Sequence, residues 1–359
     1  MKSKLLDVIA CPKCKDHLEQ NSNNLFCPCC NEYYSMQSGV FRAKRNKYYW
    51  GEIDQKKMQD LLKNAREVGW FNALQGLSKD IKDSILGYVT RANRADWRFN
   101  LPLNRHARVL DLGSGWGQIP FLLTEVYDEV WSLEYIEERI DWQQVRKEQE
   151  GIENLYLVQS NVTYLPFLDE TFDIISMNGI LKRIGLAEME SNVRDLQLQV
   201  LSDVLRILKP GGYLYVGIEN RIGYNMFMGA YDHSGMRFTS IMPRWLADQY
   251  VKNFKKNSYR IEGSQHGYRT YTYSPPGYRK LLSKAGYSKI DLYWVTTSYN
   301  NPFAFAHIKH NNKIVPYYKQ IIPGNIIKKF IKLVWLALIR MGFMRLFSPY
   351  LLIYAHKGK

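Results

Sequence analysis

From His106 onward the chain alternates short apolar runs with longer stretches of helical spacing. The runs ARVLDL, EVWSLE, LYLVQS, FDIISM and GYLYVGIE read as strands buried on both faces, and KIDLYWV and YLLIYAH follow further on. Such alternation predicts an α/β fold, with a parallel sheet covered by helices on both faces. Upstream, residues 46–105 carry charged and apolar positions at helical spacing, as in GEIDQKKMQDLLKNAREVGW. Between Asn220 and Pro276 the periodicity gives way to an irregular, Tyr-rich segment. It is too long for an ordinary loop and too aromatic for a flexible one, which predicts a substrate cap. The expected organisation is therefore a small module over 1–45, a helical lid or linker over 46–105, a core over 106–300 with a cap at 220–276, and a final segment over 301–359.

The first module is set apart by its cysteines. All five lie within the first 30 residues: Cys11, Cys14, Cys27, Cys29 and Cys30. A disulfide framework would spread them through the fold, so the cluster reads as a metal site in a reducing compartment. Cys11 and Cys14 form one CxxC knuckle, and Cys27 and Cys30 a second. Two such knuckles can place four thiolates tetrahedrally around Zn²⁺ with no open position, a structural site. So small a unit cannot bury enough core to fold alone, so the metal would supply its folding energy. Cys29 is the spare thiol. The string LLDVIACPKCKDHLE, continued by LFCPCCNEYYSMQSGVF, resembles the Trm112-like zinc ribbon, a module found beside or fused to methyltransferases.

The strand ARVLDL runs straight into Gly113-Ser114-Gly115-Trp116-Gly117. Glycines there allow a tight turn and close approach of a ligand, and the following helix offers free N–H groups. Gln118 breaks the G-x-G-x-x-G dinucleotide pattern, which argues against NAD. The next strand ends in Glu134, placed to accept both hydroxyls of a ribose, and the third ends in Ser160-Asn161. In this order the features resemble class I S-adenosylmethionine-dependent methyltransferases over about residues 105–300. The residues that carry the resemblance are VLDLGSGWG, Glu134, NVTYLPFLDETFDII and LKPGGYLYV. The resemblance implies a Rossmann-like, seven-stranded sheet and S-adenosyl-L-methionine as cofactor. It places Asp111, Gly113, Ser114, Gly115 and Gly117 at the methionine and ribose end, Glu134 on the ribose, and Asn161 and Val162 at the adenine. Asn161 stands where that family usually has Asp.

Methyl transfer from a sulfonium is an in-line displacement, so acceptor groups should lie at the carboxyl ends of the fourth and fifth strands. Those positions hold Asn178, Gly179 and Lys182, then Glu219, Asn220 and Arg221. Asn178 thus serves both cofactor and acceptor, and Glu219 joins it as a candidate catalytic group. Lys182 and Arg183 could equally begin a solvated helix. In the cap, His233 beside Asp232 is the candidate base, and the Tyr268-Arg269-Thr270-Tyr271 patch serves either substrate or packing. The stretches NGIL, IENRIGYNMFMGAYDHSG and YRTYTYS resemble a bacterial methyltransferase group of surface-polysaccharide and O-antigen pathways. Where that group has a Glu-His or Glu-Trp pair, this chain has Lys182-Arg183, which favours a more anionic substrate.

Charge refines the choice of partner. The net charge is +15, and ten Lys and Arg with no acid follow Asp291. Residues 325–347, NIIKKFIKLVWLALIRMGFMRLF, place Lys328, Lys329, Lys332 and Arg340 on about a third of a helical circumference, with Trp335 and aliphatics opposite. This is the pattern of a helix lying on an anionic membrane, or of one packed on the sheet with its lysines in water. Its charges exclude a clean transmembrane span. The N-terminal apolar stretch is too short for a signal-peptide core, so the expected location is cytoplasmic, with peripheral contact at the inner face of the membrane. The expected activity is methylation of a sugar, nucleotide-sugar or lipid-linked glycan. An RNA base methyltransferase is the alternative, motivated by the ribbon and the charge; nucleic acid is disfavoured because that charge lies in a hydrophobic segment. A scaffold that has lost catalysis is the third reading.

Overall fold

The computed structural model describes residues 2–21, 24–43, 49–102, 104–254, 267–310, 313, 315–316, 333–334 and 336–358. Its centre is one sheet of twelve strands. The strands are β1 (Glu19–Asn21), β2 (Asn24–Cys27), β3 (Glu32–Gln37), β4 (Val40–Arg42), β5 (Arg108–Leu112), β6 (Glu129–Glu134), β7 (Leu155–Gln159), β8 (Phe172–Asn178), β9 (Leu208–Glu219), β10 (Lys289–Ser298), β11 (Asn301–His307) and β12 (Tyr350–His356). Their order across the sheet is β1-β2-β3-β4-β7-β6-β5-β8-β9-β12-β10-β11.

The seven strands read from the apolar runs are β5 to β10 and β12, but the expectation of a seven-stranded sheet needs correction. At one edge β11 adds antiparallel to β10. Its second residue is Pro302, which breaks the apolar run and is tolerated because an edge strand needs no donor on its outer side. At the other edge the cysteine module joins the same sheet, β4 running parallel to β7 through Phe41↔Val158 and Arg42↔Gln159. The module is also stitched by Ala10 N–H to the Pro166 carbonyl and by Leu168 N–H to the Val8 carbonyl.

Successive residues of the central strands face opposite sides. Leu110 and Leu112 join one apolar cluster with the helices Val193–Ile207 and Pro275–Lys284. Val109 joins the other, with Ile119, Phe121 and Leu123 of the helix Gln118–Thr124. The lid helix Gln55–Val68 buries Met58, Leu61, Leu62 and Ala65, spaced three and four apart, against Trp116, Trp142 and Val145. Burial of each larger side chain in that set contributes about 1.5–3 kcal/mol. This packing holds the helix against the turn after β5 and the helix Glu137–Glu150.

Strands β5, β6 and β7 step outward in one direction, and the chain then returns to place β8 on the other side of β5. That reversal opens a crevice beyond the ends of β5 and β8. Of the basic segment 325–347, residues 325–332 and 335 lie outside the described residues, and with them Lys328, Lys329, Lys332 and Trp335. Of the described part, Leu336 and Ile339 are buried in the main core and Arg340 is exposed. No helix among the described residues is long and apolar enough to cross a membrane.

Candidate active site

The crevice holds a cavity of ≈ 450 Å³. One end is built by the loop after β5. Gly113, Gly115 and Gly117 have φ of 69°, 59° and 86°, all in the left-handed region. A Cβ at Gly113 would stand 2.8 Å from the Ile180 side chain, and one at Gly117 2.7 Å from that of Gln143. The N–H groups of Gly113 and Ser114 donate to the Leu133 carbonyl, which pins the loop against β6. Ser114 Oγ accepts from Gln143 at 2.9 Å and from Ser132 at 2.7 Å, so that hydroxyl braces the loop.

Glu134 ends β6 inside this turn. Its carboxylate accepts from Gly115 N at 2.8 Å and from the N–H groups of Tyr135 and Ile136 at 2.9 Å. Lone pairs remain for the hydroxyls of a ribose. Asp111 is buried; Oδ1 accepts from the Ser176 hydroxyl, and Oδ2 has no partner among the described residues. Burial pushes its carboxyl up to about 7. A buried carboxylate oxygen without a donor fits a ligand that brings one, as the amino group of S-adenosylmethionine would. Asn161 and Val162 line the same end, with Asn161 Oδ1 accepting from Thr163 N at 3.2 Å. The donor set, the orphaned oxygen and the glycine cradle together fit the cofactor. Glu52 lines the cavity here, pairing with Arg139 and accepting from Trp116 Nε1 at 3.0 Å.

The other end gathers side chains from four separate segments. Glu219, at the end of β9, accepts on Oε1 from Lys182 Nζ, from the Tyr299 hydroxyl at 2.8 Å, and pairs with His233 Nε2 at 2.9 Å. Its other oxygen is buried without a partner among the described residues. Burial opposes ionisation of Glu219, but Lys182 and His233 outweigh it and hold the carboxyl well below its usual range. Burial pulls Lys182 down to about 8 against the attraction of Glu219. Burial, reinforced by Lys182, also lowers His233, so its imidazole is neutral at pH 7. Tyr299 is pushed well above its ordinary value by burial and by Glu219.

Several sequence expectations are redrawn here. His233, the candidate base, pairs with Glu219. The Asp232 carboxylate turns away, to Ser234 N, the Thr239 hydroxyl and the Tyr268 hydroxyl, because it closes a turn of the cap. Lys182 does not begin a solvated helix; it is 1% exposed, since Glu219 and Tyr299 offer it partners inside the cavity. Asn178 lines the cavity, its amide held by the Tyr215 hydroxyl at 3.2 Å and by Asn300 at 2.9 Å. Asn220 and Arg221 are structural, donating to the carbonyls of Leu346 and Ser348 and of Ser240 and Met242. Arg269 packs the cap, donating to the carbonyls of Gly185, Glu188 and Ser191. Tyr299, Arg94 and Glu52 line the cavity without having stood out in the sequence. Tyr299 sits on the turn into β11, the strand that Pro302 conceals.

At the far edge of the sheet, the sulfurs of Cys11, Cys14, Cys27 and Cys30 lie within 4.8 Å of one another. Cys11 and Cys30 are 3.9 Å apart, and Cys14 and Cys27 3.5 Å. Four thiolates about 2.3 Å from a tetrahedral ion would be separated by roughly 3.8 Å, so the set fits a metal. Cys29 is exposed and outside the group.

Residues 103–263 match a family model described as a methyltransferase domain. A demethylmenaquinone methyltransferase of Staphylococcus haemolyticus is 24% identical over 261 residues, covering 70% of this chain and 97% of that protein. One of the same name from Anoxybacillus flavithermus is 25% identical over 193 residues, covering 52% of this chain and 74% of that one. Among solved structures, a Haemonchus contortus phosphoethanolamine N-methyltransferase 2 in complex with S-adenosyl-L-methionine superposes with a TM-score of 0.44 at 15% identity, covering 74% of this chain and 52% of that one. The matched residues include the glycine loop, Glu134, Asn161, Glu219 and His233, and they are similar to a methyltransferase domain.

Proposed function

We propose that this protein methylates a hydroxyl of a sugar, nucleotide-sugar or lipid-linked glycan intermediate. The observation that carries the reading is His233, held 2.9 Å from Glu219 in the cavity that also contains the glycine loop. A sugar hydroxyl attacks poorly unless a base removes its proton, whereas an amine needs only to arrive neutral. Bound S-adenosylmethionine supplies an electrophilic methyl on its sulfonium. Asp111, Glu134, Asn161 and Val162 hold the cofactor. With Nε2 donating to Glu219, Nδ1 of neutral His233 would take the proton of the acceptor hydroxyl, whose oxygen would receive the methyl group that bound S-adenosylmethionine supplies. Glu219 stabilises the imidazolium, and Lys182 and Tyr299 keep Glu219 in place. The test is methyl transfer from labelled S-adenosylmethionine to nucleotide-sugars and glycan intermediates. Labelling of RNA transcripts alone would replace this reading with the RNA alternative.

A quinol acceptor is a second reading, favoured by the two relatives called demethylmenaquinone methyltransferases. Labelling of demethylmenaquinol, with none of sugars, would establish it. We further propose that Cys11, Cys14, Cys27 and Cys30 hold one structural Zn²⁺, readable as metal content per chain of the purified protein. Residues 325–347 are proposed to meet an anionic membrane from its cytoplasmic side, readable by co-sedimentation with anionic and neutral vesicles.

A further inference from the structure

The basic side chains of the cavity differ in what neutralises them. Arg139 is paired with Glu52, and Lys182 with Glu219. Arg183 lies over the Trp50 ring, 3.9 Å from its centre, and Arg94 donates to the Tyr88 carbonyl at 3.3 Å. Among the described residues neither Arg183 nor Arg94 has a carboxylate within 4.0 Å, and Arg94 Nε is buried without a partner. Glu52 reaches Arg183 only at longer range, and its Oε2 already serves Arg139 and Trp116. Burial without a counter-ion is unfavourable, and it pulls both guanidinium groups below their ordinary values.

Bound S-adenosylmethionine brings one carboxylate, so it can neutralise only one of the two. Arg94 lies within electrostatic reach of Asp111, at the root of the glycine loop, which suits it to the cofactor's carboxylate. Arg183 lies within electrostatic reach of His233 and Tyr299, both members of the Glu219 cluster. Five basic and four acidic side chains line the cavity, Asp111 lies buried beside it, and the cofactor adds one net positive charge, so positive charge remains for an anionic acceptor.

We propose that Arg183, braced on Trp50, binds a phosphate group of the methyl acceptor. The proposal rests on the methyltransferase reading of the cavity and narrows its substrate to a phosphate ester or pyrophosphate. A guanidinium stacked on an aromatic ring keeps its edge free for bidentate contact with phosphate oxygens, a geometry that Lys cannot reproduce.

The experiment is calorimetric titration of the full-length protein, saturated with S-adenosylhomocysteine, with uridine diphosphate and with dihexanoyl phosphatidic acid. Wild type, Arg183→Gln, Arg183→Lys and Arg94→Gln are compared, each checked for folding by thermal melting. The wild type is expected to bind at least one probe, roughly tenfold or more tightly than Arg183→Gln and Arg183→Lys do. Both Arg183 variants should keep their affinity for S-adenosylhomocysteine, while Arg94→Gln should lose it. Binding of uridine diphosphate points to a nucleotide-linked acceptor, and binding of the phosphatidic acid to a lipid-linked one. Absence of binding by either probe to the loaded wild type, or equal binding by Arg183→Gln, overturns the proposal while leaving the methyltransferase reading intact. Failure of the wild type to take up S-adenosylhomocysteine instead removes that reading and the phosphate subsite with it.

Discussion

The two ends of the cavity are assembled in different ways. At the cofactor end, Asp111, Gly113, Gly115 and Gly117 follow one another along a single turn, and Glu134 closes the next strand onto it through Gly115 N at 2.8 Å. At the acceptor end, Lys182 meets Glu219 across 37 residues and Tyr299 across 117. The first end is a local backbone device, fixed by φ angles and N–H groups. The second is a tertiary device, in which three side chains converge on one carboxylate oxygen. Damage should therefore separate cleanly, with cofactor affinity tracking one end and turnover the other.

The largest expected effect comes from His233→Asn. Loss of the base should lower kcat by about 10²–10⁴-fold, as is typical for general bases, with S-adenosylhomocysteine affinity unchanged. Because the His233 side chain is 36% exposed, the fold should persist, which thermal melting checks. Equal turnover by the variant would dissolve the contrast at the acceptor end.

Next is Gly113→Ala. The new Cβ would sit at φ 69° and 2.8 Å from Ile180. Strain of this kind costs about 1–3 kcal/mol, or roughly 5- to 150-fold in S-adenosylhomocysteine affinity if it falls on binding. Calorimetry reads it directly, and kcat at saturating cofactor should change far less.

The pH profile sharpens the acceptor end. Activity should rise as pH passes upward through the lowered pKa of His233, because only the neutral imidazole takes a proton. It should fall above about 8, where Lys182 loses its charge and with it its hold on Glu219. Lys182→Met should abolish the alkaline limb, read from kcat between pH 5.5 and 9.5. Cofactor affinity should stay flat across that alkaline limb.

The smallest effect belongs to the spare thiol of the cysteine module. Cys29→Ser should leave metal content and melting temperature unchanged, whereas Cys30→Ser should release the metal. Elemental analysis of the two variants distinguishes them.

This asymmetry also explains what could be read in the sequence. Strands β5 to β10 and β12 announce themselves as apolar runs because both their faces are covered. The glycine loop and Glu134 are legible because their spacing is local. The twelve-stranded extent was hidden by Pro302 in β11 and by the cysteine module, whose β1 and β4 carry only three residues each. Lys182 resembled a solvated helix start because nothing beside it in the chain offers an anion. The partner of His233 was hidden as well. Adjacent residues on a turn point apart, and the partner of His233 comes from the end of β9.

The most direct test of this division is calorimetric titration of S-adenosylhomocysteine into wild type and His233→Asn. One site per chain with the same affinity in both proteins is the predicted result. No binding to the wild type, or binding lost with His233, would contradict it.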